Sequence, residues 1–133
     1  MGYAQWVVLT LHNSLHEGAI TFRNANVSHG KFYTDGDKDH EISAEEINDA
    51  SMQPGSEYVI SACGRSDSPS GTEGTVDVWH GTNKVCTLYW DCPWSGDNNF
   101  EVRFNTNYLV IISEWSKSGA LGPIQVGFSS IGS

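Results

Sequence analysis

Short segments rich in β-branched and aromatic residues recur along the whole chain, with glycine, asparagine, serine and proline between them. Such segments are typical of β-strands, and their short spacing is typical of a sandwich or a barrel. The segments that we predict to be extended are residues 5–13, 19–23, 27–33, 57–63, 75–80, 84–90, 100–104, 108–115 and 124–128. We therefore predict a single-domain all-β fold over residues 1–133, an antiparallel β-sandwich or a barrel.

Helical structure is expected at one place only. Ser43 stands three residues before Glu46, which is the spacing of a capping box, so one short helical turn is predicted within residues 42–48. The first two strands are predicted to pair as a hairpin, and residues 34–39 are predicted to form an acidic loop. The core is expected to contain Val8, Ile20, Phe22, Val59, Ile60, Val76, Val78, Leu88, Val102, Phe104, Val110, Ile112 and Val126.

The densest group of aromatic residues lies within residues 89–94. Pro93 lacks a backbone N–H and cannot continue a central strand, so the strand before it is predicted to end near Cys92. The sequence of residues 95–99 has the composition of a turn, which places Trp94 on a loop. A loop tryptophan either folds back over the core or stays exposed to contact an apolar partner. Five tryptophans and five tyrosines exceed what one sandwich core requires, and this excess favours the exposed position.

Charge and hydropathy exclude several classes of protein. Seven basic and sixteen acidic residues give a formal net charge of −9, which repels nucleic-acid phosphates, so no nucleic-acid partner is expected. No apolar run approaches the roughly 20 residues of a membrane-spanning helix, and the N-terminus lacks the features of a secretory signal. We expect a cytoplasmic protein or one secreted by a non-classical route.

Neither an enzyme nor a cofactor is predicted, because no nucleophile, zinc-binding or phosphate-binding motif is present. Asp35, Asp37, Asp39 and Glu46 match ligand positions of a calcium-binding EF-hand loop and form a weak candidate metal site. His40 stands where such a loop requires glycine. The pattern therefore favours a structural loop whose aspartates bond backbone amides.

The three cysteines are too sparse for a disulfide framework or a zinc site. Cys63, Cys86 and Cys92 are expected to pack as small apolar side chains. One Cys63–Cys92 bridge is left open.

A series of motifs, in order along the chain, resembles the aegerolysin family. The motifs are Tyr3-Ala4-Gln5-Trp6-Val7, Gly30-Lys31, Asp35-Gly36-Asp37-Lys38-Asp39, Cys63-Gly64-Arg65-Ser66-Asp67, Gly71-Thr72, Tyr89-Trp90-Asp91-Cys92-Pro93-Trp94 and Ser118-Gly119-Ala120-Leu121-Gly122. The resemblance implies a β-sandwich similar to the actinoporins that acts at target membrane surfaces by recognising sphingolipids. In that family some members provide lipid recognition for a second protein with a perforin-like (MACPF) domain, which makes the pore. Such a partner is therefore expected here.

The resemblance also implies which aromatic residues bind lipid. Trp6, Trp90 and Trp94 match positions at the family's lipid-facing end, and Tyr89 completes the predicted aromatic site. Aromatic rings attract choline or ethanolamine cations and favour the boundary of a bilayer. For Trp6, a core position on the first strand remains an alternative.

Three further site residues depart from the family pattern. His29 stands where the family usually has tryptophan, and Ser70 and Asp97 stand where members that recognise sphingomyelin with cholesterol have glutamate and lysine. Asp97 can accept hydrogen bonds from an ethanolamine ammonium, which a quaternary choline cannot donate. The departures favour ceramide phosphoethanolamine over sphingomyelin.

Two other functions are kept as alternatives. One is a lectin-like carbohydrate-binding sandwich whose sugar stacks on the same aromatic residues. The other is an effector that binds a host protein and uses no lipid.

Overall fold

The computed structural model describes residues 4–66, 70–105 and 107–131, which form two facing β-sheets and one short helix. The strands are β1 (Trp6–Asn13), β2 (Ile20–His29), β3 (Lys31–Thr34), β4 (Asp37–Ile42), β5 (Ser51–Met52), β6 (Glu57–Cys63), β7 (Thr72–His80), β8 (Asn83–Cys92), β9 (Asn99–Arg103), β10 (Tyr108–Ile112) and β11 (Gly122–Ser130), and the helix is α1 (Ala44–Asn48).

The sheets have six and five strands. Their orders are β10-β11-β1-β6-β3-β4 and β5-β2-β7-β8-β9. The predicted all-β sandwich is confirmed, with one departure from a wholly antiparallel pattern: β1 and β11 run parallel. On its other side, β11 pairs antiparallel with β10.

The predicted hairpin between the first two strands is wrong. β1 pairs with β6 and β11, whereas β2 lies in the other sheet between β5 and β7. Asn13 is buried where the chain leaves β1, and its amide donates hydrogen bonds to the carbonyl oxygens of Gly18 (3.1 Å) and Met52 (2.9 Å). Its side-chain oxygen accepts the N–H of Leu15 at 3.0 Å. These bonds hold the chain as it crosses from one sheet to the other.

The predicted acidic loop is instead a tight hairpin between β3 and β4. Gly36 in its turn has a φ of 88°, a left-handed conformation that glycine adopts without steric cost. The predicted helical turn is confirmed: Ser43 caps α1, and its hydroxyl oxygen accepts the N–H of Glu46 at 3.3 Å. No helix in the described ranges is long and apolar enough to cross a membrane.

Alternate residues of β1, β7 and β11 fill the interior. On β1 the buried apolar residues are Val7, Leu9 and Leu11, so the expected core position of Val8 is wrong. Side chains alternate along a strand, and one of two adjacent apolar residues must therefore face outward. Phe104 is 70% exposed because β9 ends one residue before it. Ile112, on an edge strand, is exposed as well. The expected core residues that are buried are Ile20, Phe22, Ile60, Val76, Val78, Leu88 and Val126.

The three cysteines are free and buried. Their predicted packing as small apolar side chains is confirmed, and the bridge left open between Cys63 and Cys92 is not formed. Burial raises the pKa of the Cys86 thiol to about 12.

One end of the sandwich collects most of the motifs found in the sequence. β1, β3 and β7 begin at this end, and β2, β6 and β8 finish there. The backbone pairs Trp6–Cys63, Lys31–Cys63 and Thr72–Cys92 mark it.

Candidate functional site

A cleft of about 340 Å³ opens at this end of the sandwich. It is lined by His29, Ser70, Gly71, Thr72, Glu73, Asp91, Pro93 and Trp94. Three residues that the sequence predicts as site residues, His29, Ser70 and Trp94, therefore lie together. The two acidic residues of the lining, Glu73 and Asp91, were not identified from the sequence as site residues.

The shape of the cleft depends on the close approach of two backbone segments at Gly71. A Cβ atom at this position would overlap the carbonyl oxygen of Cys92 and would lie 2.7 Å from backbone atoms of Pro93. Only glycine lets the chain that enters β7 pass the end of β8 so closely. The Gly-Thr motif at the start of β7 is thus a packing requirement, and it brings Thr72 and Glu73 into the cleft.

Trp94 lies on the loop after β8, as predicted, and is 45% exposed. Asn98 anchors the other end of this loop and is itself buried. Its amide nitrogen donates hydrogen bonds to the carbonyl oxygens of Ser116 (2.9 Å) and Gly119 (3.1 Å). A loop held in this way presents the indole at the edge of the cleft.

Two carboxylates stand on neighbouring strands in the cleft. Glu73 on β7 is directly opposite Asp91 on β8. One oxygen of Glu73 accepts a hydrogen bond from the Tyr89 hydroxyl at 2.5 Å. The other lies 3.3 Å from the Ser28 hydroxyl, which donates to it, and 3.9 Å from Nε2 of His29. These contacts fix the Glu73 carboxylate beside Asp91.

The ionised form of Asp91 is destabilised by its surroundings. Burial raises the pKa of Asp91, the negative charge of Glu73 raises it further, and His29 partly offsets the two. Burial also raises the pKa of the Tyr89 hydroxyl, and its hydrogen bond to Glu73 adds to the shift, so Tyr89 stays a hydrogen-bond donor. A bound cation would relieve the repulsion between the two carboxylates. The cleft is therefore suited to a cation that also touches an aromatic ring.

Trp90 is not on the surface, and the expectation that it contacts lipid is wrong. It is 0% exposed, its indole N–H donates to the Thr72 hydroxyl oxygen at 3.2 Å, and its ring packs edge-on against Phe32 with centroids 6.0 Å apart. Gly74, directly across the sheet, leaves room for the indole, since a Cβ atom there would lie 2.5 Å from the ring. Trp90 supports the cleft from inside through Thr72.

Trp6, Tyr89 and Asp97 lie outside the cleft. Trp6 faces outward from the six-stranded sheet in a separate depression, with the Lys38 ammonium 5.0 Å from its ring centre, so its alternative core position is wrong. Tyr89 faces outward next to the cleft, and the Arg103 guanidinium lies 3.9 Å from its ring centre. Asp97 is exposed on the Trp94 loop. A lipid contact at these three residues stays a prediction.

The acidic residues of the weak candidate metal site are not gathered around one point. Asp35 lies in the β3–β4 turn, Asp37 and Asp39 are on β4, and Glu46 is in α1. One Asp37 oxygen accepts the backbone N–H of Asp39 at 3.1 Å, as expected for an aspartate at a turn. Across the described part of the chain, no group of three or more histidine, cysteine or acidic side chains is placed to hold a metal ion.

Calcium is accordingly expected to leave the melting temperature of the protein unchanged, because dispersed carboxylates cannot share one ion. Thermal unfolding with added calcium, and with chelator as the control, measures this. A rise of several degrees at micromolar calcium would reassign the hairpin as a ligand site.

Comparison with known proteins gives consistent matches over nearly the whole chain. A protein-family model described as Aegerolysin matches residues 4–131. Asp-hemolysin of Aspergillus fumigatus is 44% identical over 127 residues, which cover 93% of this chain and 91% of that protein. Ostreolysin A6 of Pleurotus ostreatus is 42% identical over 132 residues and covers 95% of each chain. The crystal structure of RahU protein in complex with a Tris molecule superposes with a TM-score of 0.92 at 32% identity and 98% coverage of both chains.

Proposed function

The chain belongs to the aegerolysin family of non-enzymatic proteins, and from this premise we propose that it recognises sphingolipids at membrane surfaces through the end that carries Trp94. The observation that carries the proposal is the cleft, where an exposed indole and two carboxylates share one opening. A relative whose name is hemolysin supports a target in membranes.

The chemistry of the cleft matches the head groups of ceramide phosphoethanolamine and sphingomyelin, which end in a cation. Glu73 and Asp91 supply negative charge, and the Trp94 ring adds a cation–π attraction of about 0.5–2 kcal/mol. An indole also favours the depth at which head groups meet acyl chains. A net charge of −9 repels anionic lipids but does not repel a zwitterionic surface.

Sedimentation with vesicles tests the proposal directly. Phosphatidylcholine vesicles that contain ceramide phosphoethanolamine, sphingomyelin, or sphingomyelin with cholesterol should bind the protein, and pure phosphatidylcholine vesicles serve as the control. Failure to bind any of the three sphingolipid compositions would refute the proposal and would leave the carbohydrate and protein ligands to be tested.

We further propose that ethanolamine is preferred over choline. A primary ammonium donates hydrogen bonds to carboxylates, whereas a quaternary ammonium has no N–H to donate. The carboxylates of Glu73 and Asp91 are placed to accept such bonds inside the cleft. Asp97 is exposed on the same loop as Trp94, outside the cleft, and is proposed as a further acceptor.

Two substitutions separate these acceptors. Asp91→Asn preserves the shape of the side chain and removes its charge, so the preference for ceramide phosphoethanolamine should fall by about tenfold or more, since hydrogen bonds to charged groups contribute roughly 1.5–3 kcal/mol. Asp97→Lys removes an acceptor for the ethanolamine N–H groups and adds a phosphate donor, so it should shift the preference toward sphingomyelin. The measurement is the ratio of the affinities for the two lipids.

An unchanged ratio in both variants would refute the head-group argument. A change in Asp97→Lys alone would place the ammonium on the loop and not in the cleft. Wild-type melting temperatures in both variants serve as the control for folding.

The protein is proposed to act as the targeting half of a bicomponent pore, with a perforin-like MACPF protein as the other half. A single exposed tryptophan at head-group depth contacts one leaflet and does not open the bilayer. The purified chain is therefore expected to bind sphingolipid vesicles without releasing an enclosed dye. Sedimentation of the same vesicles confirms that the protein is bound, and dye release by the chain alone at sub-micromolar concentration would contradict the expectation.

A further inference from the structure

The two sheets end in four edge strands, and three of these carry features that discourage pairing with another chain. β4 has charged residues at four of its six positions, and β5 is only two residues long. β9 contains Glu101 and Arg103, joined by an ion pair of 2.7 Å. Charge and short length are the usual means by which edge strands avoid joining other sheets.

The fourth edge strand, β10, has none of these features. Its sequence contains neither a charged residue nor a proline, and its register against β11 is unbroken over five residues. Leu109, Ile111 and Ile112 are 46%, 62% and 36% exposed. Charged residues make up 17% of the chain, yet residues 104–113 and 118–133 contain none. An apolar and uncharged strand edge is therefore left open to solvent.

We propose that β10 is the interface at which two copies of this chain pair antiparallel and join their six-stranded sheets edge to edge. A two-fold axis places the free N–H groups of one β10 strand opposite the free carbonyl groups of the other, so the edge is complementary to itself. β10 carries no charged side chain. It therefore neither selects an oppositely charged partner strand nor repels an identical one.

Side chains add to the backbone pairing. Leu109 and Ile111 project from the same outer face of the sheet, and the pair of strands unites them into one apolar stripe. Gly127, opposite Ile111 on β11, has no side chain and leaves a groove of about 470 Å³ next to the edge, where apolar side chains can pack. Antiparallel pairing directs the two Trp94 loops to opposite ends of the dimer, since β10 runs toward the end that carries Trp94.

Sedimentation velocity of the full chain over a range of concentrations tests the proposal. The wild type should show a monomer–dimer equilibrium that shifts toward dimer with added salt, because salt screens the repulsion between two copies of net charge −9. Ile111→Lys brings two ammonium groups to the junction and should weaken association by about tenfold or more.

Ile131→Lys is the matched control. Ile131 is also 62% exposed, but it lies beyond the end of β11 and not on the edge strand. This variant should keep the wild-type dissociation constant. At concentrations where the wild type is monomeric, both variants should keep the wild-type melting temperature because the replaced side chains are exposed.

Hydrogen exchange of the β10 amides gives a second measurement, since pairing should protect them increasingly as concentration rises. A wild-type chain that stays monomeric at all concentrations would overturn the proposal. A dimer that Ile111→Lys does not weaken, or that Ile131→Lys weakens equally, would overturn the assignment of the interface to β10.

Discussion

Trp90→Ala is expected to lower the free energy of unfolding by about 3–5 kcal/mol, the usual range for removing a large buried aromatic side chain. The indole is fully buried, packs against Phe32 and lies over Gly74. Its loss leaves a cavity and removes the hydrogen bond to the Thr72 hydroxyl. Denaturant unfolding of the two proteins measures the difference.

Trp90→Phe is the matched control for this change. Phenylalanine keeps much of the buried ring but cannot donate the hydrogen bond to Thr72, so its loss of stability should be smaller than that of the alanine variant. If the alanine variant unfolded at the same denaturant concentration as the wild type, Trp90 would not be a core residue.

Trp94→Ala is expected to show the opposite profile, with a large effect on membrane binding and a small effect on stability. Truncation of an indole that inserts at head-group depth removes a contact of roughly 1.5–3 kcal/mol, which weakens binding by about one to two decades. The effect on folding is expected to be small because 45% of the residue is already exposed in the free protein. Vesicle sedimentation and thermal unfolding of one variant measure both effects.

Trp94→Phe should retain part of the binding, because phenylalanine keeps an aromatic face but is smaller. A melting temperature lowered as far as in Trp90→Ala, together with unchanged vesicle binding, would show that Trp94 covers the core and does not contact the membrane.

The fold class could be predicted because it depends on patterns that are local to each strand. The pairing of the strands is not local. β1 and β2 are separated by a short connection that would suit a hairpin, yet the buried amide of Asn13 leads the chain into the other sheet. The position of the strand end before Pro93 was predictable, since a missing N–H acts at one residue.

The candidate site was predicted only in part, for two physical reasons. β7 begins at Thr72 and not at residue 75 as predicted. Residues 72–74 have no apolar alternation of their own, and they belong to the strand because they pair with β8. Glu73 therefore faces Asp91 across the sheet and was missed. In β8 the burial of Trp90 was predictable: Leu88 is expected in the core, and side chains two residues apart on a strand share a face, yet the family resemblance placed Trp90 at the lipid-facing end.

The three buried thiols can report on conformational opening of the protein. Thiolates react with alkylating reagents far faster than protonated thiols, and burial protects the cysteines from the reagent and keeps Cys86 protonated, with a pKa of about 12. Cys63 and Cys92 lie at the end of the sandwich that carries the cleft, whereas Cys86 lies in the interior of β8, so the thiols sample two regions of the fold. The rate at which each thiol of the unlabelled chain is alkylated therefore measures how often that part opens.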